Sequence, residues 1–216
     1  MNQLRRTLIA AVALAATPLP LALRAQPRSE SAYSTLRAGL PVENPAKIEV
    51  AEFFWYGCIH CYNFEPLIDA WLPKQPPDVY FRRIPAVFGD PRWSRDAAIF
   101  YSFEALGVLN RVHRPFFDAI HKQRLRTDNA VALEEWLVKN GVDPKKFEAA
   151  MNSFGVQSKV KRAGQLTAAA HIDGTPALMV QGRYVIGADQ GGSLEGMLAN
   201  AERLYPAARK TLESAK

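Results

Sequence analysis

The sequence predicts one α/β unit, a βαβ half and a ββα half separated by a helical insertion. Three observations carry this expectation. An apolar strand pattern at residues 47–56 passes into helical spacing and then into a second strand. About 75 mainly helical residues follow. Strand character returns only near residue 177, and one more helix ends the chain. Strand, helix, strand in the first half implies a parallel pair joined by a crossover.

The elements follow in order. Residues 26–30 read as a frayed start, 33–36 as a short edge strand, and Gly39, Pro41 and Pro45 mark a loop. Residues 47–56 (KIEVAEFFWY) are rich in Ile, Val and aromatics and read as a mostly buried strand that Gly57 ends. From Ile59 to about Leu72 the apolar residues Tyr62, Leu67, Ile68 and Trp71 take helical spacing, with Pro66 expected to break or kink the helix. A turn at residues 75–78 leads to a strand at 79–84. The helical stretch runs from Trp93 to Ala170, with a stop at Asn140-Gly141 and a start at Asp143-Pro144. Residues 177–181 and 184–186 read as a hairpin about Gly182-Arg183, followed by a final helix at 193–205. The GADQGG run at 187–192 fits no phosphate-loop spacing and reads as a plain turn.

At 216 residues and 48% hydrophobic, the chain can bury the core of one ordinary domain. Its charge of +6 invites a nucleic-acid reading, but residues 1–25 carry Arg5, Arg6 and Arg24 and no acid. Without them 24 basic residues face 21 acidic ones, a net charge of +3, which is too mild for a phosphate-binding stripe. Residues 1–25 read as an export signal: Arg5-Arg6, an apolar stretch over 8–23, and a small residue, Ala25, at the cleavage point. A retained membrane anchor is the rival. The uninterrupted apolar run before Pro18 is only about ten residues, too short to span a bilayer. Arg5-Arg6-Thr7-Leu8 also shares features with twin-arginine leaders, so both export routes stay open.

Cys58 and Cys61 are the two cysteines of the chain. A bridge across so short a loop constrains little of the unfolded ensemble, and exported domains stapled by disulfides carry more cysteines at wider spacing. The pair therefore points to chemistry. A strand ending at Gly57 and a helix starting at the first cysteine put the Cys58 sulfur over unpaired N–H groups and the positive end of the helix dipole. Cys58 is then the nucleophile and Cys61, one turn on, the buried resolving thiol. His60 between them adds a positive charge or an N–H donor to the thiolate. One pKa unit is about 1.4 kcal/mol, and for a two-electron couple that is about 30 mV, so a depressed thiol pKa makes the disulfide more oxidising. Downstream, Gly174-Thr175-Pro176 immediately precedes a strand, which makes Thr175-Pro176 a candidate cis peptide with Thr175 free to pair with an extended substrate segment. An ordinary trans turn proline is the alternative.

The run EFFWYGCIHCYNFEP at residues 52–66, Thr175-Pro176 before the hairpin, the inserted helices and the leader together resemble the DsbA family of periplasmic thiol-disulfide oxidases. The resemblance spans nearly all of the chain after the leader. It implies a thioredoxin fold with an inserted helical domain: a thioredoxin-like part at residues 31–90 and 162–216, and helices at 91–161 capping the site. It also implies a catalytic Cys58 and Cys61, a cis-Pro176, and a buried acid at Glu52 that relays protons to Cys61. The implied partners are reduced or unfolded exported proteins and a DsbB-like membrane quinone reductase that restores the disulfide. Two positions depart from the family pattern. Ile59 stands where proline is common, and the lysine that pairs with the buried acid has Phe81 in its place, with Arg82 and Arg83 adjacent.

The expected reaction begins with a substrate thiolate attacking oxidised Cys58, which gives a mixed disulfide with Cys61 as leaving group; a second substrate thiol then frees the enzyme as a dithiol. No cofactor or metal is called for. A zinc site needs further ligands, and the other histidines, His113, His121 and His171, lie far off; His113 and His121 read as surface residues of a polar helical stretch. An isomerase or reductase with the same site is one alternative function. The roughly 15 residues between Tyr33 and Lys47 leave no room for the dimerisation domain such isomerases carry, which favours a monomer. A chaperone-like peptide-binding module with vestigial cysteines is the other.

Overall fold

A five-stranded mixed sheet organises the residues that the computed structural model describes, 31–214. The leader expected at 1–25 and the frayed start at 26–30 lie outside them. The strands are β1 (Ser34–Thr35), β2 (Ile48–Phe54), β3 (Val79–Pro85), β4 (Ala177–Val180) and β5 (Tyr184–Ile186), in the spatial order β1-β5-β4-β2-β3. β2 and β3 run parallel, with Glu52 opposite Arg83. β4 runs antiparallel to both β2 and β5, and β1 closes the other edge against β5.

Every residue of β2 is buried because helices cover both faces of the sheet. Ile48 and Val50 pack with Phe64 and Ile68 of α1 (Ile59–Trp71) and with Met197 and Leu198 of α8 (Leu194–Arg203). Ala51 and Phe53 point the other way, toward Ala163 and Leu166 of α6 (Phe154–Ala169). The mostly buried strand read from the sequence thus has two alternating faces, each with its own cover.

Between β3 and β4 lie α2 (Pro91–Ala105), α3 (Leu109–His121), α4 (Ala130–Lys139), α5 (Pro144–Met151) and α6. Side-chain caps set their starts. Asp90 accepts from the Arg92 N–H at 2.8 Å, Asn129 from Ala132, Asp143 from Lys145 and Lys146, and Ser153 from Val156. Pro91 and Pro144 occupy first-turn positions that need no N–H. These helices do not bury their apolar faces among themselves alone. Phe100, Phe103, Phe116, Phe117 and Trp136 form one cluster with Phe54, Tyr56 and Cys61, so the insertion and the redox loop share a core.

Several expectations need correction. Pro66 does not break α1, which runs continuously from Ile59 to Trp71. The Tyr62 carbonyl that Pro66 cannot serve receives Arg114 Nη1 at 3.5 Å instead. The chain does not end its helices near residue 205: Pro206 sits in the first turn of a further helix, α9 (Tyr205–Ser214). Part of the expected turn at 187–192 is a short helix, α7 (Ala188–Gly191), whose start is fixed by the Gln190 side chain accepting from the Gly187 N–H at 2.9 Å.

The hairpin turn depends on Gly182, at φ +60°, where a Cβ would stand 2.2 Å from the Leu40 carbonyl oxygen. Leu40 N–H also donates to the Gly182 carbonyl at 2.7 Å, so the two segments cannot separate without losing that bond. Replacing Gly182 with Ala should lower stability by more than about 1 kcal/mol through strain and steric overlap together. Urea unfolding of the two proteins checks this.

Candidate active site

The site begins where β2 ends. Gly57 sits under the Trp55 indole, whose Cζ2 would lie 2.4 Å from any Cβ at that position. Trp55 in turn stacks on Trp93 of α2, with ring centroids 4.2 Å apart. The turn is closed by the Cys58 N–H donating to the Trp55 carbonyl at 3.0 Å. Cys58 is the N-cap of α1, with extended backbone angles, and its sulfur accepts the Cys61 N–H at 3.4 Å. A sulfur therefore fills the position that a Ser or Asp oxygen usually takes at a helix start. Both cysteines are free thiols, Cys58 half-buried and Cys61 fully buried.

The two thiols are driven in opposite directions. Cys58 is lowered to about 5, chiefly by the hydrogen bond from the Cys61 thiol. Partial burial opposes this, and the Thr175 side chain and the Cys61 and His60 backbone groups reinforce it. The Thr175 carbonyl, 3.3 Å from the sulfur, accepts from the neutral thiol and is the contact given up on ionisation. Cys61 is pushed well above the ordinary thiol range by burial first, and then by its bond to Cys58 and the charges of Cys58 and Glu52.

Beneath the pair lies a buried charge cluster. Glu52 is fully buried, neither carboxyl oxygen has a hydrogen-bond partner, and its nearest cation is Arg83 Nε at 3.5 Å. Burial raises its pKa well above the carboxylate range, Glu65 adds to the rise, and Arg83 only partly offsets it. Glu65, also fully buried, takes both Arg83 Nε and Nη2 at 2.9 Å. Burial alone would raise Glu65, but His113 and Arg83 overcome it and hold the carboxyl at about 2. His113 reaches Glu65 through Nε2 at 3.2 Å and the Tyr56 phenol through Nδ1 at 2.9 Å.

The Thr175-Pro176 peptide is cis, as its place before β4 suggested. Beside it opens a cavity of about 670 Å³ lined in part by Ile172, Gly174, Val185, Ala188 and Gln190. Among the described residues no group of acids, histidines and cysteines has the arrangement of a metal site.

Residues 49–199 match the family described as DSBA-like thioredoxin domain. The chain belongs to the DsbA-like thioredoxin family. The thiol:disulfide interchange protein DsbA of Burkholderia cepacia is 41% identical over 197 residues, covering 91% of this chain and 92% of the relative. That of Azotobacter vinelandii is 42% identical over 172 residues, 80% of each chain. The crystal structure of Pseudomonas aeruginosa DsbA superposes with a TM-score of 0.78 at 37% identity, covering 85% of this chain and 95% of that one. The chain is thus a protein-disulfide oxidoreductase with a thioredoxin fold and a helical insertion.

Within this DsbA-like site, Cys58 and Cys61 stand at the start of α1, Glu52 lies on β2, and Thr175 and Pro176 directly precede β4. His60 differs in detail. Its backbone joins in lowering Cys58, whereas its side chain is exposed. The cation beside the buried acid is Arg83, brought opposite Glu52 by the β2–β3 register. His113 and His121 are not surface residues. His113 is buried against Tyr56 and Glu65, and the half-buried His121 donates from Nε2 to the Tyr56 carbonyl at 2.8 Å. Glu65 was missed altogether. The aromatic and apolar residues interleaved with the α3 histidines (Phe116, Phe117, Ile120) were the available signal that this face turns inward.

Because the folded Cys58 pKa lies below that of a free thiol, ionisation stabilises the dithiol form. The effect is complete above the ordinary thiol pKa of about 8.5 and is lost as pH falls through about 5. Urea titrations of the reduced protein and of Cys58→Ser should show the difference in their stabilities shrinking across that interval. A pH-independent difference would contradict the assignment.

Proposed function

We propose that this chain is a dithiol oxidase that donates its Cys58–Cys61 disulfide to reduced proteins exported to the periplasm. The observation that carries the reading is the opposite displacement of the two thiols, Cys58 down to about 5 and Cys61 up. A stabilised thiolate makes the dithiol the comfortable state and the disulfide the reactive one.

In the first step a substrate thiolate attacks the Cys58 sulfur, and the bond to Cys61 breaks with its electron pair going to Cys61. A thiolate at Cys61 is disfavoured by burial, so it takes a proton, and Glu52, a neutral acid in this setting, is the donor. In the second step another substrate thiolate attacks the substrate sulfur of the mixed disulfide. Cys58 departs as the thiolate that Thr175, Cys61 and the start of α1 stabilise. The substrate has lost two electrons and the enzyme has gained them. Thr175, beside cis-Pro176 and the 670 Å³ cavity, offers backbone to an extended substrate segment, and His60 acts through its backbone rather than its ring. Residues 31–90 and 162–216 form the thioredoxin-like part of this reading, residues 91–161 the cap, and residues 1–25 the leader. A DsbB-like membrane quinone reductase restores the disulfide.

The reduction potential measured against glutathione tests the reading. An oxidase equilibrates largely as dithiol in a glutathione buffer that keeps a thioredoxin-like reductase as disulfide; the reverse would make this chain a reductase or isomerase. Cys61→Ser should accumulate the mixed disulfide with a reduced substrate protein, visible on non-reducing gels. The double replacement of Cys58 and Cys61 by serine should abolish all activity, and retained activity would point to a peptide-binding module. Glu52→Gln should slow substrate oxidation by about tenfold or more, since placed general acids contribute at least that much. Stopped-flow measurement of the first step, with Cys58 alkylation as the control for an intact site, checks it.

A further inference from the structure

Two histidines that the thiol chemistry leaves unused converge on the residue before Gly57. α3 presents His113 and His121 about two turns apart on one face, and both grip Tyr56. His113 Nδ1 meets the phenol at 2.9 Å, and His121 Nε2 meets the main-chain carbonyl at 2.8 Å. Tyr56 itself is fully buried, so each contact satisfies a polar group that has no water.

The hydrogen bonds have a fixed polarity. A carbonyl only accepts, so His121 Nε2 carries a proton whichever form the ring takes. Glu65 is ionised, so His113 donates to it from Nε2 and accepts the Tyr56 O–H at Nδ1. The His121 ring is pinned as well. It stacks on Tyr62 of α1 at 4.9 Å and 20°, and the Tyr62 hydroxyl donates to Asp118 at 2.7 Å.

This clamp matters because Gly57 separates Tyr56 from Cys58 and supplies no side chain to hold the turn. The backbone contact that favours the thiolate, the Cys61 N–H 3.4 Å from the Cys58 sulfur, depends on where the Cys58 backbone is held, and a small displacement spoils its alignment. We propose that His121, supported by His113, is a positioning residue through which the helical insertion fixes the Tyr56–Gly57–Cys58 backbone and so sets the reactivity of Cys58. The proposal rests on Cys58 being the nucleophile.

The test uses three substitutions, two of them at residue 121. His121→Phe keeps a ring against Tyr62 and removes the donor; His121→Gln removes the ring and keeps an N–H. The readouts are the pH midpoint of Cys58 alkylation and the equilibrium with glutathione, with thermal stability measured alongside. Loss of one net hydrogen bond should move the His121→Phe midpoint upward by about half a unit to one unit, and the glutathione equilibrium by roughly three- to tenfold toward disulfide. His121→Gln should stay close to the parent. A Phe variant that loses stability with its midpoint unmoved would show a packing role only and overturn the proposal, as would a Gln variant that shifts as far as Phe. Tyr56→Phe, which deletes only the hydroxyl facing His113, reads the same clamp independently of any folding defect at 121: an upward shift supports it, and none removes His113 from it. If the parent midpoint is itself that of a free thiol, the oxidase reading falls first and the clamp with it.

Discussion

A sulfur standing at a helix N-cap is the constraint on which the rest of this molecule depends. Cys58 closes the first turn of α1 with its own side chain, so the group that reacts is also the group that starts the helix. The first N–H groups of any helix lack partners inside it, and an anion placed among them is stabilised. Stabilisation of the thiolate is therefore built into the meeting of β2 with α1.

The same geometry requires the second sulfur to be elsewhere. One turn into α1, Cys61 faces the core, beside Phe54, Tyr56 and the aromatic cluster of the insertion. Burial there makes its charged form expensive, and Glu52, also fully buried, is pushed up for the same reason. Glu52 and Glu65 are both fully buried near one guanidinium, and they come out differently. Glu65 has two bonds to Arg83 and a third to His113, and stays ionised. Glu52 has only the longer approach of Arg83, and burial raises its pKa well above the carboxylate range. Hydrogen-bond geometry, more than the presence of a cation, separates the two acids.

The helical insertion is part of this arrangement and not merely a lid over it. Its phenylalanines complete the core beneath the redox loop, Trp93 stacks on Trp55, and α3 grips Tyr56 at both its phenol and its carbonyl. An element inserted between β3 and β4 thus supplies contacts to the residue two places before the nucleophile.

By itself the sequence marked the principal strands and helices and singled out the cysteine pair, although α7, α9 and the continuity of α1 through Pro66 escaped it. Alternation and helical spacing are local signals, so β2, α1 and the capped start of α5 could be read directly, and the Cys58-Ile59-His60-Cys61 spacing at a strand-to-helix junction implied the thiolate. The place of Thr175-Pro176 before a strand left cis and trans both open, and the fold holds it cis. Tertiary structure alone decided which distant side chains meet. Arg83 became the partner of Glu52 through a parallel register that no local pattern sets. His113 and His121 turned inward because α3 packs against a loop more than 50 residues earlier in the chain. Pro66 sits within α1, and Arg114 of α3 reaches the carbonyl it leaves unserved. Propensity and spacing act over a few residues, whereas charge pairing and burial depend on packing between segments far apart in sequence.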